Sequence, residues 1–248
     1  MKAMILAAGL GTRLRPLSDH RPKALVEIAG RTMLEITLSR LRDLDIREVV
    51  INVHHFADMI FEYLEANDNF GMRIELSREK ALLDTGGGLK KAAYFFLEDP
   101  TAIEEPFILH NVDVLSTIDL RQMVRFHKEN QALATLATQD RDTSRHLLFD
   151  EQGQLCGRRS GHGPNTELIR SSHPVQALAF CGIHVISPRL LTMLVEEGAF
   201  SIITSYLRIA ACGEKILAFR ADEYYWRDLG TPDNVLQAAE DRRQKVLP

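Results

Sequence analysis

Leu6-Ala7-Ala8-Gly9-Leu10-Gly11-Thr12-Arg13-Leu14 sets two glycines directly after an apolar run, and Arg13, Arg15, Arg21 and Lys23 crowd the stretch that follows. Glycines after a strand let backbone N–H groups close on phosphate oxygens with no Cβ in the way. Clustered cations suit a phosphate-rich ligand; a solvated basic loop is the alternative. Two common phosphate motifs do not fit. Gly-x-x-x-x-Gly-Lys-Ser/Thr is absent, and the dinucleotide fingerprint needs Gly or Ala where Leu14 stands, with Glu27 too near to be its ribose acid. Two carboxylates stand further on. Asp113 follows the apolar run 107–110, at the carboxyl end of a predicted strand, where open α/β sheets hold ligands. Asp228 lies in Trp226-Arg227-Asp228-Leu229-Gly230-Thr231-Pro232, just before a predicted final helix. Either acid alone reads as a loop or cap residue. His54-His55 and His110 lack a third ligand at diagnostic spacing for a transition metal.

The elements that must position these residues follow from periodicity. Residues 2–8 are a continuous apolar run, the profile of a central parallel strand, and Val49-Val50-Ile51-Asn52-Val53 reads as a second buried strand. Leu34, Leu38, Leu41 and Leu44 recur at helical spacing behind Thr32, a suitable N-cap. Residues 56–66 predict a helix and 72–76 a strand. Gly86-Gly87-Gly88 precedes a helix expected over 89–97, with Thr85 as its cap, and 107–110 is a further strand. Strands alternating with helices predict βαβ units and a mostly parallel sheet. After about residue 130 the pattern changes. Residues 132–138, 146–149, 175–186 and 215–220 read as strands, and 188–197, 201–212 and 232–246 as helices, the last with Pro232 in its first turn. The polar stretch with Gly157, Gly161, Gly163 and Pro164 reads as an irregular excursion or lid. No repeat or linker is visible. The expectation is one α/β domain over 1–248, with a first half of about 1–118 and a more mixed second half of about 119–230.

The 248 residues carry 45% hydrophobic and 26% charged side chains with a net charge of −4. These are globular values that exclude a disordered, collagen-like or disulfide-scaffold chain. The acidic balance argues against a nucleic-acid duplex as partner. Cys156, Cys181 and Cys212 are odd in number and far apart, so buried reduced thiols are expected. No apolar run is long enough to span a membrane. The opening residues break at Gly9 and read as a strand, not a leader, in a cytoplasmic protein.

The two-part pattern Ala7-Ala8-Gly9-Leu10-Gly11-Thr12-Arg13-Leu14 followed by Pro22-Lys23-Ala24-Leu25 resembles the signature of the sugar-1-phosphate nucleotidyltransferases, which make nucleotide sugars. The resemblance implies a Rossmann-like mixed sheet flanked by helices (a GT-A-like fold) and a glycine loop, Leu6 to Thr12, wrapped around NTP phosphates. It implies that Arg13 holds the β- and γ-phosphates and that Lys23 bridges the α-phosphate and the sugar phosphate. In their contexts Asp113 and Asp228 resemble the family's metal pair, and two carboxylates with phosphate oxygens suit Mg²⁺. One departure is Val112, where the family usually has Gly. Leu82-Leu83-Asp84-Thr85-Gly86-Gly87-Gly88 resembles the segment beside the nucleotide base, which adds Thr85, Gly86 and Gly87 to the nucleotide contacts, and the resemblance implies Asn111 as a further one. Its triple glycine resembles that of N-acetylmuramate 1-phosphate uridylyltransferases, and the length agrees with these short members, without an added acetyltransferase domain. Phe180-Cys181-Gly182-Ile183-His184 resembles the strand that touches the sugar, so Asn111, Gly182 and Trp226 are the expected sugar contacts. The Glu-Lys pair of many hexose-specific members is not evident. Muramate carries a lactyl carboxylate that calls for an extra cation; Arg158 and Arg159 are candidates beside a solvated-loop reading.

The resemblance thus implies Mg²⁺-dependent transfer of a nucleotidyl group, UTP favoured as donor, to a sugar 1-phosphate, with release of pyrophosphate. Guanylyl transfer to mannose or heptose 1-phosphate and cytidylyl transfer to phosphocholine use the same loop. A nucleotide-sugar sensor and a Rossmann oxidoreductase are the readings from other classes. A monomer or small homo-oligomer is expected, with no nucleic-acid or membrane partner.

Overall fold

Ala3 and Ile5 face one side of the first strand and Met4 the other, all fully buried, so this strand needs cover on both faces. The computed structural model describes residues 1–98, 105–161, 166–170 and 174–243. Its first half comprises β1 (Lys2–Leu6), a small hairpin of β2 (Glu27–Ile28) and β3 (Arg31–Thr32), α1 (Met33–Arg42), β4 (Glu48–Val53), α2 (Ala57–Ala66), β5 (Arg73–Arg78), α3 (Asp84–Lys91), α4 (Ala93–Leu97), β6 (Phe107–Asn111) and β7 (Val114–Ser116). Its second half comprises α5 (Leu120–Glu129), β8 (Ala134–Gln139), β9 (Arg145–Phe149), β10 (Leu155–Ser160), β11 (Thr166–Leu168), β12 (Gln176–Ile186), α6 (Ile202–Ala211), β13 (Ile216–Arg220), β14 (Trp226–Asp228) and α7 (Pro232–Arg243).

A ten-stranded mixed sheet draws strands from both halves. Its main path runs β11-β10-β9-β12-β6-β1-β4-β5, with β8 on β12 and β13 on β8. The stretch β6-β1-β4-β5 is parallel. Antiparallel pairing takes over from β12 outward, apart from the parallel pair β13–β8. One face packs on α1, α2, α5 and α7 through Leu34, Leu38, Ile60, Met123 and Val235. The other packs on α3, α4 and α6 through Leu89, Phe95, Phe96 and Tyr206. Thr32 caps α1 by accepting from Glu35 N at 3.0 Å, as its side chain and position predict.

Several elements differ from expectation. The triple glycine lies inside α3, which begins at Asp84 instead of 89, because Gly86, Gly87 and Gly88 are packing positions: a Cβ on Gly86 would stand 2.3 Å from the Phe200 ring. Thr85 caps α6 instead of its own helix, its Oγ1 accepting from Ile202 N at 3.0 Å. The helix expected over 188–197 shrinks to a 3₁₀ turn, Pro188–Met193. The polar excursion contributes strands β10 and β11, since Gly157 lets the Glu167 carbonyl approach where a Cβ would meet it at 2.3 Å. Gly163 and Pro164 lie outside the described residues, as does the end of the last helix beyond 243. Helix α5 went unanticipated; its buried stripe is only Leu120, Met123 and His127 among Arg, Gln and Lys. Cys156 and Cys181 are buried, but Cys212 is exposed. Among the described residues no helix is long and apolar enough to cross a membrane.

Candidate active site

Three parallel strands end together. Leu6 on β1 pairs with Asn52 on β4 and with Asn111 on β6, so three residues from distant parts of the chain share one rim at the carboxyl ends of the strands. The loop after β1 is tied down there: Ala7 N–H donates to Asn52 Oδ1 at 2.7 Å. Asn52 Nδ2 in turn donates to Glu79 Oε1 at 2.7 Å, and Leu83 N–H donates to Glu79 Oε2 at 3.0 Å. Asn52 and Glu79, 3% and 6% exposed, therefore link the glycine loop to the 82–88 segment from beneath. Neither residue was expected at the site. The one signal was a polar Asn inside the apolar run Val49-Val50-Ile51-Asn52-Val53.

Gly9 and Gly11 serve Lys23. A Cβ on Gly9 would lie 3.1 Å from Lys23 Nζ, and Gly11 holds φ +67° with its carbonyl accepting from Ser18 Oγ at 2.8 Å. Thr12 opens a 3₁₀ turn that carries Arg13. Lys23 Nζ donates to Asp113 Oδ2 at 2.9 Å, with both side chains about one-sixth exposed, at 15% and 16%.

A two-stranded ribbon brings the two aspartates together. Asp228 on β14 pairs with Val114 on β7, and Leu229 N–H donates to the Asp113 carbonyl at 2.8 Å. Arg40, from α1, fixes the ribbon by donating to Ser116 Oγ at 2.6 Å and to the Ile118 carbonyl. Asp228 Oδ1 accepts from Gly230 N–H at 2.6 Å. A Cβ on Gly230 would meet that oxygen at 2.6 Å and Arg13 Nη2 at 2.8 Å, so Arg13 and Asp228 flank this glycine. Asp113 Oδ1 and Asp228 Oδ2 accept no hydrogen bond among the described residues. Val112 is buried, and its N–H continues the strand pairing by donating to the Leu6 carbonyl at 3.1 Å, so the backbone accommodates a side chain there.

Two adjoining clefts meet at Asn111 and Asp113. The smaller, about 440 Å³, is lined by Leu6, Ala8, Gly9, Lys23, Leu82 and Thr85, among others. The larger, about 910 Å³, is lined by Arg13, Asp228, Gly182, Trp226 and five arginines of the second half, Arg141, Arg145, Arg158, Arg159 and Arg227. Gly182 sits in a bulge of β12 at φ +74°, where a Cβ would lie 2.9 Å from Asn111 Nδ2. Trp226 Nε1–H donates to the Cys181 carbonyl at 2.7 Å. Asn111, Gly182 and Trp226 thus line one cleft. Gly86 and Gly87 line neither cleft: their N–H groups donate to the Phe200 carbonyl at 2.9 and 3.3 Å, and both are buried away from the cleft. With the Ala7 N–H they are committed inside the protein, and Leu82, Asp84 and Thr85 face the cleft in their place. His110 is a core residue, its Nδ1 at 2.7 Å from the Asn111 carbonyl; burial and then Arg40 push its pKa down to about 3.

A family described as Nucleotidyl transferase matches residues 2–147. The chain is 33% identical over 245 residues to an N-acetylmuramate alpha-1-phosphate uridylyltransferase of Caulobacter vibrioides, spanning 97% of this chain and 96% of that one. It is 30% identical over 239 residues to a mannose-1-phosphate guanyltransferase of Yarrowia lipolytica, spanning 95% of this chain and 62% of that longer protein. HddC from Yersinia pseudotuberculosis, complexed with GMP-PN, superposes with a TM-score of 0.76 at 21% identity, over 97% of this chain and 99% of that one. UDP-glucose pyrophosphorylase complexed with UDP-glucose superposes at 0.77 and 17% identity, over 98% of both. These two speak for the fold. Sequence match and fold agree, and the chain belongs to the nucleotidyl transferase family, among its sugar-1-phosphate nucleotidyltransferases.

Proposed function

We propose that this protein transfers a uridylyl group from UTP to a sugar 1-phosphate, with N-acetylmuramate 1-phosphate the favoured acceptor, and releases pyrophosphate. The observation that carries the two-substrate reading is the pair of clefts meeting at Asn111 and Asp113. The smaller cleft takes the nucleoside and α-phosphate, against Leu82 and Thr85 and along the glycine loop, and the β- and γ-phosphates reach Arg13 at the edge of the larger cleft. The larger takes the sugar, against Asn111, Gly182 and Trp226. The choice of UTP and muramate rests on the relative of matching length. The guanyltransferase relative supports GTP with a hexose 1-phosphate as the second reading.

In the proposed reaction an oxygen of the sugar phosphate attacks the α-phosphorus in line, and the bond to the pyrophosphate oxygen breaks. The attacking phosphate is already ionised, so no general base is needed, and catalysis is positioning plus charge neutralisation. Lys23, which lines the smaller cleft and bonds Asp113 at the seam, neutralises the α-phosphate and the incoming sugar phosphate. Arg13, beside Gly230, neutralises the β- and γ-phosphates as pyrophosphate departs. Asp113 and Asp228 fit a hard cation, because each keeps one carboxylate oxygen without a hydrogen bond among the described residues. Mg²⁺ bound by them would supply charge neutralisation at the phosphate oxygens.

Pyrophosphate release, measured for ATP, CTP, GTP, UTP and dTTP against several sugar 1-phosphates and phosphocholine, tests this. Turnover with UTP and N-acetylmuramate 1-phosphate, lost in EDTA and restored by Mg²⁺, is the expected result. Turnover confined to GTP and mannose or heptose 1-phosphate would favour the second reading. Nucleotide binding with no pyrophosphate from any pair would favour a sensor.

A further inference from the structure

One short segment touches both clefts. Ala199 lines the smaller, and Ser201 and Ile203, just beyond it, line the larger. Ser201 is the N-cap of α6 and Ile202 its first residue. The segment is zipped onto the entry of α3, the stretch that carries Leu82, Asp84 and Thr85 in the smaller cleft. Phe200 N–H donates to the Leu83 carbonyl at 3.1 Å, and the Phe200 carbonyl accepts from Gly86 and Gly87 N–H. A Cβ on Gly87 would stand 2.4 Å from the Gly198 carbonyl oxygen, so the two backbones approach as only glycine allows. Thr85 closes the zip, its Oγ1 accepting from Ile202 N–H at 3.0 Å. A threonine hydroxyl also donates once. That proton finds no acceptor among the described residues, and Thr85 faces the smaller cleft.

We propose that Thr85 is a positioning residue for the acceptor: from the nucleotide cleft it fixes, through α6, the wall that meets the sugar phosphate, and so couples the two sites. The inference rests on the transferase reading above. A nucleotide packed against Thr85 offers its O–H an acceptor and fixes that side chain. Thr85 then holds Ile202 N–H, and with it Ser201 and Ile203 in the larger cleft. Hydrogen bonds in a chain strengthen one another where water is scarce. An acceptor that meets a wall already ordered loses less entropy on binding. By linkage, the acceptor tightens the nucleotide by the same factor.

Calorimetry measures the coupling without turnover. N-acetylmuramate 1-phosphate is titrated into protein alone and into protein saturated with a UTP analogue bearing a methylene group between the α- and β-phosphorus, in Mg²⁺. Mannose 1-phosphate with the GTP counterpart is the second pair. In one pair the nucleotide should tighten acceptor binding about 5- to 100-fold, the usual range of coupling between sites. Two variants break the same hydrogen bond from opposite ends. Thr85→Val keeps the shape and loses the hydroxyl. Ile202→Pro removes the N–H at a first helical position, where proline is accepted. Each should cut the coupling factor about three- to tenfold, the worth of one hydrogen bond. The double variant should cut it no further. Thr85→Ser and Ile202→Val keep the bond and should keep the factor. A merely structural role would weaken acceptor binding alike with and without nucleotide. Direct attraction between the two ligands would survive both variants. Either result, with the fold intact by near-UV circular dichroism, overturns the coupling, as does a loss in Thr85→Val that Ile202→Pro does not share. Should Ile202→Pro not fold, Thr85→Val against Thr85→Ser decides alone. A factor near one in the unaltered protein, with pyrophosphate still released on turnover, overturns the coupling and leaves the transferase reading in place. A protein that binds neither nucleotide nor acceptor overturns both.

Discussion

Asp113 has two neighbours that matter, Lys23 at 2.9 Å and, across the ribbon, Asp228. Asp113→Asn keeps the shape and removes the charge. Nucleotidyl transfer should fall at least about 10²–10³-fold, the usual cost of losing one preorganised electrostatic group. Stability should drop by only about 1–2 kcal/mol, because Lys23 keeps partial access to water. Near-normal turnover in a Mg²⁺ titration of this variant would falsify the role proposed for Asp113. Asn52 and Glu79 make a different prediction. They touch no reacting atom but hold the loop and the 82–88 segment in register. Glu79→Gln turns an N–H₂ toward a donor in a buried place, at a cost of about 1–3 kcal/mol. Its KM for the nucleotide should rise roughly tenfold with kcat little changed. Steady-state kinetics showing a kcat effect alone would contradict a positioning role.

Helix α3 shows how packing overrides propensity. Replacing a glycine inside a helix by alanine favours the helix by up to about 1 kcal/mol. At Gly86 the new Cβ would stand 2.3 Å from the Phe200 ring and 2.9 Å from its carbonyl oxygen. Overpacking of this kind costs about 1–3 kcal/mol or more, so the clash wins. Gly86→Ala should therefore lower the urea midpoint and loosen the contact between α3 and the segment leading into α6; an unchanged or higher midpoint would show that Phe200 moves freely. The ribbon of β7 and β14 is the other decisive element. It is three residues long in each strand, yet it sets Asp228 beside Asp113.

Three histidines give the whole molecule a pH response. His110, His127 and His184 are buried between layers, and burial is the first cause that pushes their pKa values down, to about 3, 4 and 3. Each stays neutral in the folded protein but gains a proton on unfolding below about 6.5. A depressed folded pKa means stability that is fully present above 6.5 and lost as pH falls toward 3–4. Between pH 7.5 and 5.5 the loss is about 1.4 kcal/mol for each histidine. Urea unfolding at the two pH values measures it, and equal stabilities would mean that water reaches the rings.

The parallel strands before residue 118 and the glycine loop with its crowd of cations were legible because each rests on local chemistry, whereas Asp113 and Asp228 stood out only through their resemblance to the family's motifs. Apolar runs, caps and a phosphate-suited loop use neighbours within a few residues. Thr32 caps the helix that follows it, and β1 is apolar on both faces. What was not legible depends on residues far apart in the chain. Thr85 caps a helix 117 residues away, Gly86 is small for the sake of Phe200, and Asn52 meets Glu79 only because β4 and β5 lie side by side. A polar stretch became β10 and β11 because β9 offered its edge. Residue types and local spacing therefore decide which groups are available for phosphate chemistry. Strand order decides which of them meet, since pairing energy and packing are settled only when distant segments share a surface.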